Sequence, residues 1–524
     1  MKKTTASLIT ILLGIAAVFH GFAANPDRPG INYVAPIRDQ PYASGPQLIW
    51  HDSFDSGTVS TAYAEYGNDG GDYIPVTYEA FGGTGYCMRA LWQTGEVGAG
   101  DLKIVFGDSP VYSAKRLRPG EKFGEIYWRM YVKYQAGWTG DPAKLSRATV
   151  FAGSNWSQAM IAHVWGSGDP LVLDPASGIN SSSQLVTTKY NDFANLRWLG
   201  IRRGTFPIHS TAESGQWICV EAYVKLNTPG QANGVFTLWI DGEIDAHADN
   251  LNWLYSWQEK GLNAVFHANW WNSGSPVQQE RYIDDFVIAT ERIGPARCPI
   301  NPTIVKTAFS DPDGGDSQLA WQLQVATDNA GTNVVWDSAA YASAGNALVV
   351  SPSNGTFMGT LTGRGALDYD THYWARVRVS DQSAGWSGWS AWRGVIMTEE
   401  RDRDGDRMSD DWERKHFGTT NAAAHHDDDT DGMSNIDEFV AGTVPSGPSG
   451  QNSRFALEIH LDNGSAVVSI PTIRPFGLGY AGYSRRYARV SDVFFDLIRF
   501  GACPFSFVGV YCIGTRYIRK GGSV

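Results

Sequence analysis

Acidic residues alternate along two short stretches of the chain. The first carries Asp402, Asp404, Asp406, Asp410 and Glu413; the second carries Asp427, Asp429, Asp431, Asn435 and Glu438. In a twelve-residue loop these are positions 1, 3, 5, 9 and 12, and a main-chain carbonyl, from Met408 or Met433, falls at position 7. Oxygens at that spacing wrap a hard divalent cation, so Ca2+ is the expected cofactor. Gly432 stands at the sixth position of the second loop, where a positive φ is wanted, whereas Arg407 stands there in the first. The second loop is therefore the better formed. A solvated acidic linker is the bland alternative, and two near-complete ligand sets in one segment speak against it.

A second group of residues has the chemistry to handle an acidic sugar. His163 and Trp165 alternate in Ala159-Met-Ile-Ala-His-Val-Trp165, Lys144 and Arg147 precede them, and Tyr190 follows in Lys189-Tyr-Asn-Asp-Phe193. Arg197 and Trp198 come next, then His267, Asn269, Trp270 and Trp271. Taking the C5 proton from a uronate and expelling its leaving oxygen needs a cation against the carboxylate, a base and an acid. His163, Tyr190 and Arg147 are taken as the catalytic set. Lys144, Trp165, Arg197, His267, Asn269, Trp270 and Trp271 are taken as substrate contacts. Each has a dull explanation, since a strand histidine is more often packed than reactive. Trp270 and Trp271 cannot both point inward on a strand, so one is exposed and free to stack on a sugar ring.

The elements that must position these residues are strands. Ile126, Trp128, Met130 and Val132 line one face of a run whose other face carries Tyr127, Arg129, Tyr131 and Lys133. Val235–Ile240 reads as a strand closed by an Asp241-Gly242 turn, and Arg281–Ile288 as a last strand. Tyr373, Ala375, Val377 and Val379 alternate toward a second core, with Trp374, Arg376 and Arg378 facing away, where guanidinium planes can stack on Trp386 and Trp389.

These stretches carry resemblances. Trp50-His-Asp-Ser-Phe-Asp, Gln216-Trp-Ile-Cys-Val-Glu221, Asn233-Gly, Trp239-Ile-Asp-Gly242 and Tyr282-Ile-Asp-Asp-Phe-Val-Ile288 together resemble the concanavalin A-like jelly roll of polysaccharide lyases, laminin G domains and glucanases. The resemblance implies paired first and last strands. The Glu-x-Asp-x-x-Glu strand of jelly-roll glucanases is absent. Leu367–Val379 with Trp386-Ser-Gly-Trp389-Ser resembles a fibronectin type III domain, which implies a spacer. The acidic segment resembles the paired loops of dockerins and thrombospondin type 3 repeats. That implies either a calcium staple or docking to a cohesin-like partner, and the staple fits the first loop better. Asp52, Asp55, Asp284 and Asp285 offer a further structural calcium site, or are turn and edge residues.

The whole chain is expected to be mainly β and multi-domain, a jelly-roll sandwich followed by an immunoglobulin-like one and a short calcium segment. The divisions are 1–24 signal peptide, 25–47 lead-in, 48–295 jelly roll, 300–397 fibronectin-like domain, 400–441 calcium loops, 442–452 linker and 453–524 a small β-rich region. Lys2, Lys3, an apolar run and Ala23-Ala24 make the export signal, and the run is too short to span a bilayer. Export implies a secreted or cell-surface protein with no membrane span once mature. The net charge of −12 and pI near 5.4 exclude a nucleic-acid partner and leave a polysaccharide. Five cysteines are too scattered for a disulfide framework, with Cys87 and Cys219 read as buried fillers and Cys503–Cys512 as a local bridge. From Ser484 the tail is basic and aperiodic, and is either an anchor or a stretch outside the native reading frame. Two functions stay open: an enzyme cleaving an acidic polysaccharide by β-elimination, and a non-catalytic binding or adhesion protein.

Overall fold

A computed structural model describes residues 27–37, 48–312, 315–383, 385–399, most of 404–441 and short strands beyond. The signal, the Cys503–Cys512 pair and most of the linker and tail lie outside the described residues. The described structure is β throughout, apart from single turns and two short helices.

Two sheets build the first sandwich. One runs Arg197–Trp198, Leu171–Ser177, Gln158–Gly166, Lys144–Phe151, Ala264–Trp270, Gly98–Val105 and Glu65–Gly67. The other runs Glu243–Leu251, Gly234–Ile240, Trp217–Lys225, Glu125–Tyr134, Gln279–Ala289, Cys87–Trp92 and Tyr73–Val76. Leu48–Asp52 pairs with Gln279–Ala289, so the first and last strands meet. Period-two alternation drives this layering. Ile126, Trp128, Met130 and Val132 enter the shared core with Leu102, Ile104, Ala148, Val150, Ala162 and Val164 from the facing sheet. The Asp241-Gly242 turn has positive φ at both residues, the geometry a two-residue hairpin requires.

The second sandwich packs Ile31–Val34, Thr303–Lys306 and Ala347–Val349 against a six-stranded sheet built around His372–Asp381. The stretch read as a lead-in therefore supplies a strand to this second core. Tyr373, Ala375, Val377 and Val379 are buried in it. On the other face Arg376 lies over Trp389 and Trp392, and Arg378 over Trp386 and Trp389, all at 4.4–4.6 Å. The expected stacking is present, and Trp392 extends it. Arg393 joins the two sandwiches. Its buried guanidinium pairs with Asp241 and donates to Gln216 Oε1 at 2.9 Å. Cys87, Cys219 and Cys298 are buried and free.

Residues 400–524 form a separate compact unit. It holds helices Asp410–Phe417 and Asn435–Ala441 and the strands Glu458–Asp462, Ser465–Ser469 and Tyr487–Arg489. Among the described residues no helix is long and apolar enough to cross a membrane.

Candidate active site

Residues one step out of phase with the core project from the opposite face of the first sheet. Register sets six of them side by side across six strands: Glu65, Lys103, Phe266, Arg147, His163 and Asp174. The next row holds Trp270, Lys144 and Trp165. No two residues of the first row share a strand, and only the pleated alternation brings them together.

His163 is the centre. Its Nδ1 lies 2.9 Å from the carbonyl oxygen of Asp174. A carbonyl can only accept, so Nδ1 carries the proton and Nε2 keeps its lone pair. Nε2 is buried without a hydrogen-bond partner. Burial pushes the imidazole well below its usual range, and the positive charges of Arg147 and Lys144 push it further. The ring is a neutral base, covered by Trp165 at 4.0 Å and Trp198 at 5.9 Å between centroids.

Arg147 stands opposite His163 and is itself 5% exposed. Its guanidinium lies 4.9 Å over the Tyr190 ring and 5.3 Å over Phe266, and donates to Asn191 Oδ1 at 3.2 Å. Burial lowers it to about 10, an effect that Asp101 opposes. Lys144 is lowered to about 8 by burial and then by Arg147, and sits 4.7 Å over Trp270. Lys103 pairs with Glu65 and with Asp101 at 3.3 Å, and the Tyr112 hydroxyl donates to Glu65. The centre of the face is cationic, with aromatic rims at Trp198, Phe193 and Trp270, each about two-fifths exposed.

The structure brings His163, Tyr190, Arg147, Lys144, Trp165 and Trp270 together. It separates the rest. His267 and Asn269 point inward between the sheets, at 0% and 2% exposure, where His267 Nε2 donates to Asn269 Oδ1 and Arg281 donates to the same oxygen at 2.6 Å. Trp271 is core, packed on Trp92 and Trp138. Arg197 points away from Trp198, onto the Asn252 carbonyl and the Tyr255 ring. A sugar on the outer face reaches none of these four. Of the end-strand acids, two are spent on protein donors: Asp284 accepts from the Phe81 amide, and Asp285 pairs with Arg129 and His51 at 2.8 Å each. Sequence reasoning missed Lys103 and Asp101, which interrupt an apolar run at alternate positions, a signal for an outward polar row.

In the acidic segment, carboxylate oxygens of Asp404, Asp406 and Glu413 lie within 4.8 Å of one another. Glu413 is fully buried; one oxygen accepts from the Ala422 amide at 2.7 Å and Oε2 has no hydrogen-bond partner. Asn435 is also fully buried, its amide nitrogen held by Ala423, its Oδ1 unpartnered. Orphaned buried oxygens are costly, and they sit at ligand positions 12 and 9 of the two loops, so the donor set fits Ca2+. Asp410 and Glu438 are buried, and Asp427 and Asp429 half-buried. Met408 anchors a small apolar cluster with Phe417, Ala424, Ile436 and Phe439. Asp402, Asp431 and Met433 lie outside the described residues.

No family model and no curated protein matches the chain. Among solved structures, an endo-β-1,4-glucuronan lyase from Trichoderma reesei is 12% identical, covers 46% of this chain and 95% of its own, and has a TM-score of 0.33. An alginate lyase from Aplysia kurodai is 13% identical over 46% of this chain and 98% of its own, with a TM-score of 0.33. The alginate lyase vAL-1 from Chlorella virus is 13% identical over 46% of this chain and 99% of its own, with a TM-score of 0.34.

Proposed function

We propose that the first sandwich is the catalytic head of a secreted protein that cleaves a uronate-containing polysaccharide by β-elimination. One observation carries the reading: a neutral histidine, its Nε2 lone pair fixed by the Asp174 carbonyl, stands beside a buried arginine on an open sheet face. Arg147 and Lys144 take the uronate carboxylate and stabilise the charge that develops when C5 loses its proton. His163 Nε2 accepts that proton. The C4–O4 bond breaks as the C4–C5 double bond forms, and the Tyr190 hydroxyl protonates the departing O4. Trp198, Phe193 and Trp270 supply ring faces for neighbouring sugars. The fibronectin-like sandwich is a spacer and the acidic loops bind Ca2+ as a staple.

The test is ultraviolet absorbance from unsaturated uronate on mixing the protein with glucuronan, alginate, ulvan and heparin-type glycans. Absorbance should rise with one of them and vanish in His163→Ala and Tyr190→Phe. Full activity in both variants would reject the site. A second reading, a non-catalytic glycan binder or adhesion protein, draws on the cover over Nε2, and substrate reaches the base only when that cover opens. Retention on a glycan gel with no new absorbance from any polymer would select it.

A further inference from the structure

We propose that the second sandwich holds a divalent-cation site of its own, formed by Asp311, Asp316, Asp381 and the side-chain oxygen of Gln318, and that its occupant is Ca2+. A carboxylate oxygen from each of the three aspartates lies within 4.8 Å of the others. Asp311 and Asp316 come from the connection between Thr303–Lys306 and Gln318–Ala326, and Asp381 ends the strand His372–Asp381. Acidic clusters occur without ions, so the independent observation is Gln318. It is 8% exposed, and its amide nitrogen donates to the carbonyls of Ser343 at 2.6 Å and Gly345 at 3.1 Å. Those two bonds fix which way the amide faces. Its Oε1 is thereby committed to the other side, where it is buried with no hydrogen-bond partner. Gln318 stands directly opposite Asp381 in the antiparallel register, and directly opposed side chains share a face. Gln318 and its orphaned oxygen thus share a face with Asp381, whose Oδ1 accepts from the Ser383 amide at 2.8 Å and the Gly385 amide at 3.2 Å.

Crowded carboxylates repel one another, and an amide oxygen adds no proton to relieve them. A cation answers both demands at once. Four hard oxygens of mixed type suit Ca2+, which tolerates irregular coordination, better than Mg2+, which wants a near-ideal octahedron. The ion would tie the Asp311–Asp316 connection to the turn after Asp381. His372, at the opposite end of that strand, lies against the Gly242 turn of the first sandwich. The site is therefore remote from the joint between the sandwiches.

Isothermal titration of the full chain with Ca2+ after chelation tests it. The variant Glu413→Gln with Glu438→Gln silences the acidic loops and should still bind one Ca2+ and melt higher with it. Adding Asp316→Asn, at a carboxylate that accepts from the Ser383 hydroxyl at 2.9 Å, should abolish both effects. Asp316→Asn alone should lower the wild-type stoichiometry by one. A loop-silenced chain that binds no Ca2+ and melts identically with and without chelator overturns the proposal. So does an unchanged stoichiometry in Asp316→Asn.

Discussion

His163 and His267 stand on the same sheet, two strands apart, each near an arginine and each 0% exposed. Burial holds both imidazoles well below their usual range, with Arg147 adding for the first and Arg281 for the second. By burial and titration they are equivalent. They differ in what surrounds them. Around His267, Arg281 reaches the Asn269 side chain and the carbonyls of Lys144 and Ala268, and the side chains of His267, Asn269 and Arg281 are all sealed between the sheets. Around His163, Trp165, Tyr190 and Lys144 are partly exposed and Trp198 is 43% exposed. A shifted pKa marks a desolvated group, and only access to solvent distinguishes a site from a structural network.

The sharpest way to break the comparison is to remove each ring. His163→Ala should lower kcat/KM by about 10²–10⁴-fold, the ordinary worth of a general base, with the fold intact by circular dichroism. His267→Ala should leave kcat/KM within a few-fold of wild type and show its effect as a lower melting temperature. The reverse pattern would move the active site to the interior side of the sheet and sink the assignment.

A smaller effect is expected from Asn269→Leu. It takes from Arg281 the oxygen that accepts two of its hydrogen bonds and leaves a buried charge less compensated. About 2–3 kcal/mol of stability should be lost, measured by denaturant midpoint. The matching change on the outer face, Asn191→Gly, which suits the positive φ of 51° there, should cost under about 1 kcal/mol, because Arg147 loses one 3.2 Å bond beside an open face. Equal costs would mean that the two clusters are built alike.

The sequence could not separate these histidines, for a physical reason. Ala159-Met-Ile-Ala-His-Val-Trp165 is apolar on both faces, so alternation does not say which way a given residue points, and in Ala264-Val-Phe-His-Ala-Asn-Trp270 it misleads, because the apolar Ala264 and Phe266 lie on the outer face and His267 and Asn269 point inward. Arg197 and Trp198 are adjacent and point to opposite sides for the same reason. Where one face is polar the pattern was readable. The Ile126–Val132 and Tyr373–Val379 faces, the Asp241-Gly242 turn and the Trp–Arg stack lie where alternation or turn chemistry predicts, and the first and last strands meet as the jelly-roll resemblance implies. The row from Glu65 to Asp174 was invisible because its members come from six strands and only register aligns them. The strand Ile31–Val34 was missed because four residues between prolines carry too little pattern to assign, and its partner lies far along the chain.

The finest test is the pH profile. His163 works as a base only when neutral, and its lowered pKa keeps it neutral through the range where an ordinary histidine titrates. The acid limb of kcat/KM should therefore fall well below pH 6.5, and a limb at or above 6.5 would contradict the buried, Arg147-facing ring. Lys144 gives the opposite limb. It holds its charge below about 8 and loses it as pH rises, so carboxylate binding should weaken in that range, mainly through KM. Lys144→Arg restores a charge that does not titrate there and should carry the plateau to higher pH. If the alkaline limb stays in place in that variant, the titrating group is another, and Lys144 belongs with the structural set around His267 through its carbonyl alone.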